Sequence, residues 1–149
     1  MRPRSTRGEH GNAVLEVTWL AILLLVPLVY LLLAVFSVQR AAFGVNAATR
    51  AAARAYTLAP DEQEGAARAR AAAEVALEDQ GLHLSQTTMS TSCDPEPGSC
   101  LSPGSVVTVH LACRVKLPLV PDALGGNAPS IRVDGEHTVP YGSFREDRS

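Results

Sequence analysis

The sequence predicts an α+β protein: a long N-terminal transmembrane helix continues outside the membrane and leads to a second helix and a small antiparallel sheet. Three observations predict this. An uncharged apolar run extends from Val17 to Val38, an alanine-rich segment follows it, and the later chain is rich in Ser, Thr and Val. With 149 residues and a net charge of −2, the chain suggests one domain with an appendage. The chain lacks the overall positive charge that is typical of nucleic-acid-binding proteins.

The run from Val17 to Val38 is long enough to cross a bilayer, because a helix of this length covers roughly 30 Å. A secretory signal peptide is the alternative interpretation. Its apolar region is shorter, roughly 7–15 residues, and ends in a small-residue cleavage site. The residues around Ser37 offer no convincing site, so a membrane anchor is favoured.

The charges around the apolar run predict its orientation. Arg2, Arg4 and Arg7 precede the run, and the positive-inside rule keeps such an arm in the cytoplasm. Arginines on the far side, beginning with Arg40, weaken this contrast. We expect a single-pass protein of the cell membrane with a cytoplasmic N-terminus and an extracytoplasmic C-terminal domain.

Two helices are predicted before the sheet. The first extends from near Ala13 to near Leu58, and Pro27 inside it predicts a kink. Pro60 ends this helix, and acidic residues from Asp61 onward begin a second one that ends near Gly81. The predicted apolar stripe of the second helix comprises Ala66, Ala73, Val75, Ala76 and Leu77.

Alternating and β-branched residues after Gly81 predict about three to four antiparallel strands. The segments are Leu82–Ser92, Ser105–Leu117 and Ser130–Tyr141, the last interrupted by a tight turn at Asp134-Gly135. The segment PLVPDALGGNAP, residues 118–129, is a connection with room for a short turn of helix.

Cys93, Cys100 and Cys113 all fall in the part predicted to be exported, where a disulfide can form and persist. Pairing of the first two strands would place Cys93 opposite a residue near Ser105, too far from Cys113 for a bridge. The pair Cys93–Cys100 is therefore favoured, with Cys93–Cys113 as its main competitor. Closing this loop contributes about 2–3 kcal/mol.

No pattern typical of an active site stands out. His83, His110 and His137 lack the close spacing of metal ligands, which favours solvent-facing strand positions. Cys113 is better explained as a small buried hydrophobe or half of a disulfide than as a nucleophile. No glycine-rich phosphate loop, Ser-His-Asp order or paired carboxylates appear, so the sequence favours a non-enzymatic protein without a cofactor or metal.

The most informative residues precede the apolar run. Basic residues lead to Gly11-Asn12, and Glu16 stands five positions after the glycine at the mouth of the run. This arrangement resembles the class III signal of type IV pilins and pseudopilins. The alanine- and arginine-rich segment from Ala47 to Arg54 is similar to TadE-like proteins of the tight-adherence (Flp) pilus assembly systems.

The resemblance implies a pilin-like layout and a processing step. Residues 1–11 would form a cytoplasmic leader, residues 12–59 the N-terminal helix with its transmembrane segment at 17–38, and residues 60–149 the extracytoplasmic domain. Prepilin peptidase would cut between Gly11 and Asn12. Cutting removes three arginines and one glutamate, so the net charge would change from −2 to −4.

Departures from the pilin pattern indicate a minor subunit. Type IV pilins usually begin with phenylalanine after the cut, where this chain has Asn12. Major Flp pilins carry Glu-Tyr where it has Glu16-Val17, and they are much shorter. The implied partners are prepilin peptidase, the pilus assembly platform, other minor pilins and TadE- or TadF-like proteins, and the membrane.

The position of Glu16 has two interpretations. A carboxylate inside hydrocarbon is expensive, and the resemblance implies that Glu16 of a neighbouring subunit neutralises the new α-amino group at Asn12 and sets the register of assembly. Alternatively, Glu16 marks the cytoplasmic edge of the bilayer, where water reaches it. In that case the chain is a single-pass, membrane-anchored extracytoplasmic binding domain unrelated to pili.

Overall fold

The computed structural model describes residues 9–116 and 130–149, with side chains from residue 14 onward. Its elements are α1 (Glu9–Thr57), α2 (Glu62–Glu78), β1 (Thr87–Asp94), β2 (Val106–Lys116) and β3 (Ser130–Pro140), with a short 3₁₀ turn at Leu84–Gln86. The predicted α+β fold class is confirmed. Residues 1–8 of the predicted leader and the predicted connection at 118–129 lie outside the described residues.

α1 is one continuous helix of 49 residues that includes Pro27. At about 1.5 Å per residue it is roughly 73 Å long. Its first part is apolar on every side, whereas its second part has a buried face that begins near Ala41. The predicted bounds, near Ala13 and near Leu58, agree with the end of α1 and place its start four residues late.

α2 begins and ends at the predicted signals. The Asp61 carboxylate accepts a hydrogen bond from the Glu64 backbone N–H at 2.8 Å, which caps an otherwise unpaired donor. Gly81 has a φ of 67°. The N–H groups of Gly81 and Leu82 donate to the carbonyls of Glu78 and Leu77, which is the Schellman arrangement.

The buried stripe of α2 differs from the predicted one. Gly65, Ala69, Ala73 and Leu77 are buried, whereas Val75 is 61% exposed and Ala66 is also exposed. α2 packs against the alanine-rich face of α1, and small residues allow two helix backbones to approach closely. Close approach at Gly65 therefore decides the orientation of α2, and Val75 is left facing solvent.

The three strands form an antiparallel sheet in the order β1-β2-β3. Side chains of the central strand alternate: Val107, Val109, Leu111, Cys113 and Val115 are buried, and those between them are partly or fully exposed. α1 packs on β2 and β3. One face of the sheet therefore forms the core with the helices, and the other face is open.

Two expectations about the strands are wrong. Asp134-Gly135 makes no turn, because Gly135 pairs with Leu111 in the middle of β3. A Cβ atom at Gly135 would lie 2.6 Å from Cγ1 of Val45 on α1, so glycine allows the sheet to approach the helix. β1 begins at Thr87 rather than Leu82, because the preceding residues form the 3₁₀ turn and the Thr87 hydroxyl donates to the Leu84 carbonyl.

Candidate functional site

The predicted transmembrane segment from Val17 to Val38 is apolar and largely exposed, and only its end near Val38 packs against the domain core. Trp19, Leu24 and Phe36 are 66%, 70% and 64% exposed. Burying each large apolar side chain in hydrocarbon is worth roughly 1.5–3 kcal/mol, so this surface strongly favours lipid or other apolar helices over water. A single long apolar helix of this kind fits a single-pass membrane anchor.

Gly11 and Asn12 lie in the first turns of α1, which begins at Glu9. Glu16 follows one turn after Asn12 and is exposed. The separation of four positions from Asn12 to Glu16 corresponds to about 6 Å along the helix axis. The structure thus places the predicted cleavage bond and the predicted assembly carboxylate at the same end of α1, immediately before the apolar span.

A disulfide and two hydrogen bonds stabilise the loop between β1 and β2. Cys93 and Cys100 are disulfide-bonded, with Cα atoms 5.2 Å apart, so the favoured pairing is the one that the structure contains. The Cys100 backbone N–H donates to the Glu62 carboxylate, and the Ser105 hydroxyl donates to the Cys100 carbonyl. These contacts tie the β1–β2 loop to the start of α2.

Cys113 lies away from this disulfide. It pairs with Thr87 at the other end of β1, whereas Cys93 pairs with Val107. Cys113 is completely buried, and this burial raises the pKa of its thiol. Because the thiolate is the reactive form, the residue is suited to core packing rather than nucleophilic chemistry.

The C-terminal tail caps the end of α1. Arg145 donates to the Thr57 carbonyl at 2.8 Å, and Arg148 donates to the Ala59 carbonyl at 3.3 Å. Thr57 is the last residue of α1 and Ala59 lies two residues beyond it. At this end of the helix the carbonyl acceptors lack partners within the helix and the dipole favours positive charge. The tail itself is anchored by Tyr141, which is buried and donates its hydroxyl to the Glu146 carbonyl.

Tyr56 lies in the last turn of α1 and is nearly fully buried. Desolvation, with a smaller contribution from the negative charge of Glu62, raises the pKa of the Tyr56 hydroxyl. The ring of Tyr56 also faces Gly65, where an added Cβ atom would be 3.4 Å from it. Tyr56 therefore acts as a neutral packing residue between α1 and α2.

The open sheet face is polar. His110 lies 3.5 Å from the Glu136 carboxylate, and Arg132 pairs with Asp134 at 2.7 Å. Together with Thr88 and Ser90 these side chains line a shallow groove of about 290 Å³.

The three predicted-strand histidines are not brought together. His110 is on the open sheet face, His137 pairs with Val109 on the helix-covered face, and His83 precedes the 3₁₀ turn. Within residues 9–116 and 130–149, no group of three or more His, Cys, Asp or Glu side chains is placed to hold a metal ion.

A second groove has no counterpart among the predictions made from the sequence. It lies where α1 meets the end of β3 and the C-terminal tail, and we call it the arginine groove. Its basic side chains are Arg50, Arg54 and Arg145. The available sequence signal was that the part of α1 beyond Val38 contains arginines and no acidic residue.

No protein family matches this chain, and no curated protein or solved structure is significantly similar to it. Its class is therefore defined by the fold alone. It is an α+β protein in which the long apolar helix α1 fits a membrane anchor and continues into the core of a small domain.

Proposed function

We propose that the chain is a TadE-like minor pseudopilin, a non-enzymatic component of Flp pilus or related secretion-system assembly that is processed by prepilin peptidase between Gly11 and Asn12. The observation that supports this proposal is the continuity of α1. A single helix connects the Gly11-Asn12 bond, Glu16, the apolar span and the domain core.

Cleavage would create a positive charge at an unfavourable place. The new α-amino group at Asn12 stands at the positive end of the helix dipole, where a cation is destabilised. The Glu16 carboxylate is the nearest acidic group in the sequence after Asn12. Pairing the two charges, within a subunit or between neighbours, lowers the cost of holding both beside the bilayer.

The role of the domain follows from its attachment. Val45 and Ala48 of α1 are completely buried in the domain core, so the helix that carries the apolar span is also part of the domain. Lateral packing of apolar spans in the membrane would therefore fix the position of each domain. In this role the protein acts mechanically, with prepilin peptidase, the assembly platform and other minor pilins as its partners.

Replacing Glu16 tests the assembly role separately from membrane insertion. In cells that carry the complete pilus machinery, we expect Glu16→Gln to be inserted and cleaved normally but to co-purify less with the other minor pilins. Glu16→Asp, which retains the carboxylate, is the matched control and should retain much of the association. Normal association and normal piliation in Glu16→Gln would contradict the proposed role.

The open sheet face favours a second candidate, a membrane-anchored binding domain unrelated to pili. Its polar groove contains the His110–Glu136 pair. This candidate expects an uncut N-terminus and a full function in Glu16→Gln, together with loss of function in Glu136→Gln. The pseudopilin proposal expects a cut N-terminus, impaired assembly in Glu16→Gln and normal assembly in Glu136→Gln.

A further inference from the structure

The arginine groove concentrates positive charge in a partly apolar cleft. It has a volume of about 540 Å³. Its polar and basic wall contains Arg50, Arg54, Arg145 and His137, and its apolar wall contains Leu58, Val139 and Pro140. No acidic side chain lines it.

The arginines of the groove have no carboxylate partner among the described residues. The ion pairs among the described residues involve other basic side chains, namely Arg68, His110, Arg132 and Arg148. Arg50 and Arg54 stand one helical turn apart on the exposed side of α1. Like charges at this spacing destabilise a helix by a few tenths of a kcal/mol. The two arginines therefore slightly destabilise the protein when no ligand occupies the groove.

Arg145 is held in position from two sides. Its guanidinium donates to the Thr57 carbonyl and lies 4.6 Å from the centre of the Tyr141 ring. A guanidinium has five N–H donors, so most of them remain available to a ligand. Arginine donors match the two oxygens of a carboxylate, and a fixed guanidinium loses less entropy when it binds one.

The position of the groove excludes the headgroups of the protein's own membrane. Arg50 is 12 residues beyond Val38, which is about 18 Å along the helix. The interfacial layer on each side of the hydrocarbon is only about 5–8 Å thick, and an ordinary tilt of about 20° changes this height little. The occupant must therefore come from the space beyond the membrane.

We propose that the arginine groove binds an acidic peptide segment of a partner protein, with carboxylates on the arginines and aliphatic side chains against Leu58, Val139 and Pro140. The combination of cationic and apolar walls favours such a segment over a small inorganic anion, which would use the arginines only. The proposal concerns a surface outside the membrane span and does not depend on the pilus role.

The test uses the full chain in nanodiscs of zwitterionic lipid, with empty nanodiscs as the baseline. The probe is a short fluorescent peptide of alternating glutamate and leucine, and its binding is measured by anisotropy at two salt concentrations. The groove variant is Arg50→Gln/Arg54→Gln. The matched control is Arg68→Gln/Arg70→Gln, which removes the same charge from the exposed surface of α2.

The wild type and the control should bind the peptide, and the groove variant should bind it about tenfold or more weakly because charge-assisted hydrogen bonds are lost. Added salt should weaken wild-type binding. The groove variant should melt at the same temperature as the wild type or slightly higher, which shows that it is folded.

Several results would overturn the proposal. These are absence of binding to the wild type, equal loss in both double variants, or tighter binding of inorganic phosphate or anionic lipid vesicles than of the peptide. Salt-sensitive self-association of the chain that requires Arg50 and Arg54 and excludes the peptide would assign the groove to a second copy instead.

Discussion

Gly135 of β3 lies directly against Val45 of α1, so closely that a Cβ atom on the glycine would be 2.6 Å from the valine Cγ1. Val45 is completely buried in the core. This contact sets the distance between the sheet and the helix that carries the apolar span.

Gly135→Ala should lower the free energy of unfolding by about 1–3 kcal/mol, because the new methyl group overpacks the contact. Chemical denaturation of the full chain in detergent measures the change. Ser90→Ala, on the open sheet face, is the control and should be nearly neutral. In the double variant Val45→Ala/Gly135→Ala the costs should be less than additive, and strict additivity would show that the two positions do not interact.

Loss of the Cys93–Cys100 disulfide should also destabilise the domain. Cys93→Ser/Cys100→Ser should cost about 2–3 kcal/mol, because the closed loop limits the unfolded ensemble. Mass spectrometry after alkylation, with and without reductant, should find a bridge between these two residues and a free thiol at Cys113. A bridge that contains Cys113 would contradict the structure.

Stability should fall at alkaline pH. Burial raises the pKa of Cys113 above its ordinary value of 9.0 and that of Tyr56 above 10.0. Both groups then favour the folded state fully below those ordinary values, and the contribution is lost as the pH rises through the folded-state pKa values. Cys113→Ala should flatten the decline of unfolding free energy above about pH 9, and Tyr56→Phe should flatten it above about pH 10. An unchanged slope in both variants would refute this explanation.

The C-terminal tail should protect the end of α1 from local opening. Arg145→Gln removes a charge-assisted hydrogen bond to the Thr57 carbonyl and should cost about 1–2 kcal/mol. Hydrogen exchange should then become faster near the end of α1, while amides in the middle of β2 change less. Arg114→Gln, an exposed arginine on β2, is the control. Unchanged exchange at the end of α1 in Arg145→Gln would show that the tail does not hold this helix.

Local signals were sufficient for the end of α1, for both ends of α2 and for the overall class. Asp61 and Gly81 have the capping roles that their positions in the sequence indicate, because a cap depends on residues within one turn of it. The Cys93–Cys100 pair was predictable from the sequence for a similar reason, since strand pairing around a short loop limits which cysteines can meet.

Tertiary contacts account for the failures. Asp-Gly is typical of a tight turn, but Gly135 is needed where a helix distant in sequence approaches the sheet. Val75 has the larger apolar side chain, yet Gly65 and Ala69 face α1 because close packing of the two helices outweighs side-chain hydrophobicity. Arg145 and Arg54 line the same groove although they are far apart in the chain, and nothing in the sequence near either residue indicates this proximity.

The mature N-terminus is the most direct test of the proposed processing. The protein should be purified from cells with an active prepilin peptidase and its intact mass measured, with Gly11→Leu as the uncut control. We predict a chain that begins at Asn12 in the wild type and an uncut chain in the variant. A wild-type chain that still begins at Met1 or Arg2 would contradict the pseudopilin account.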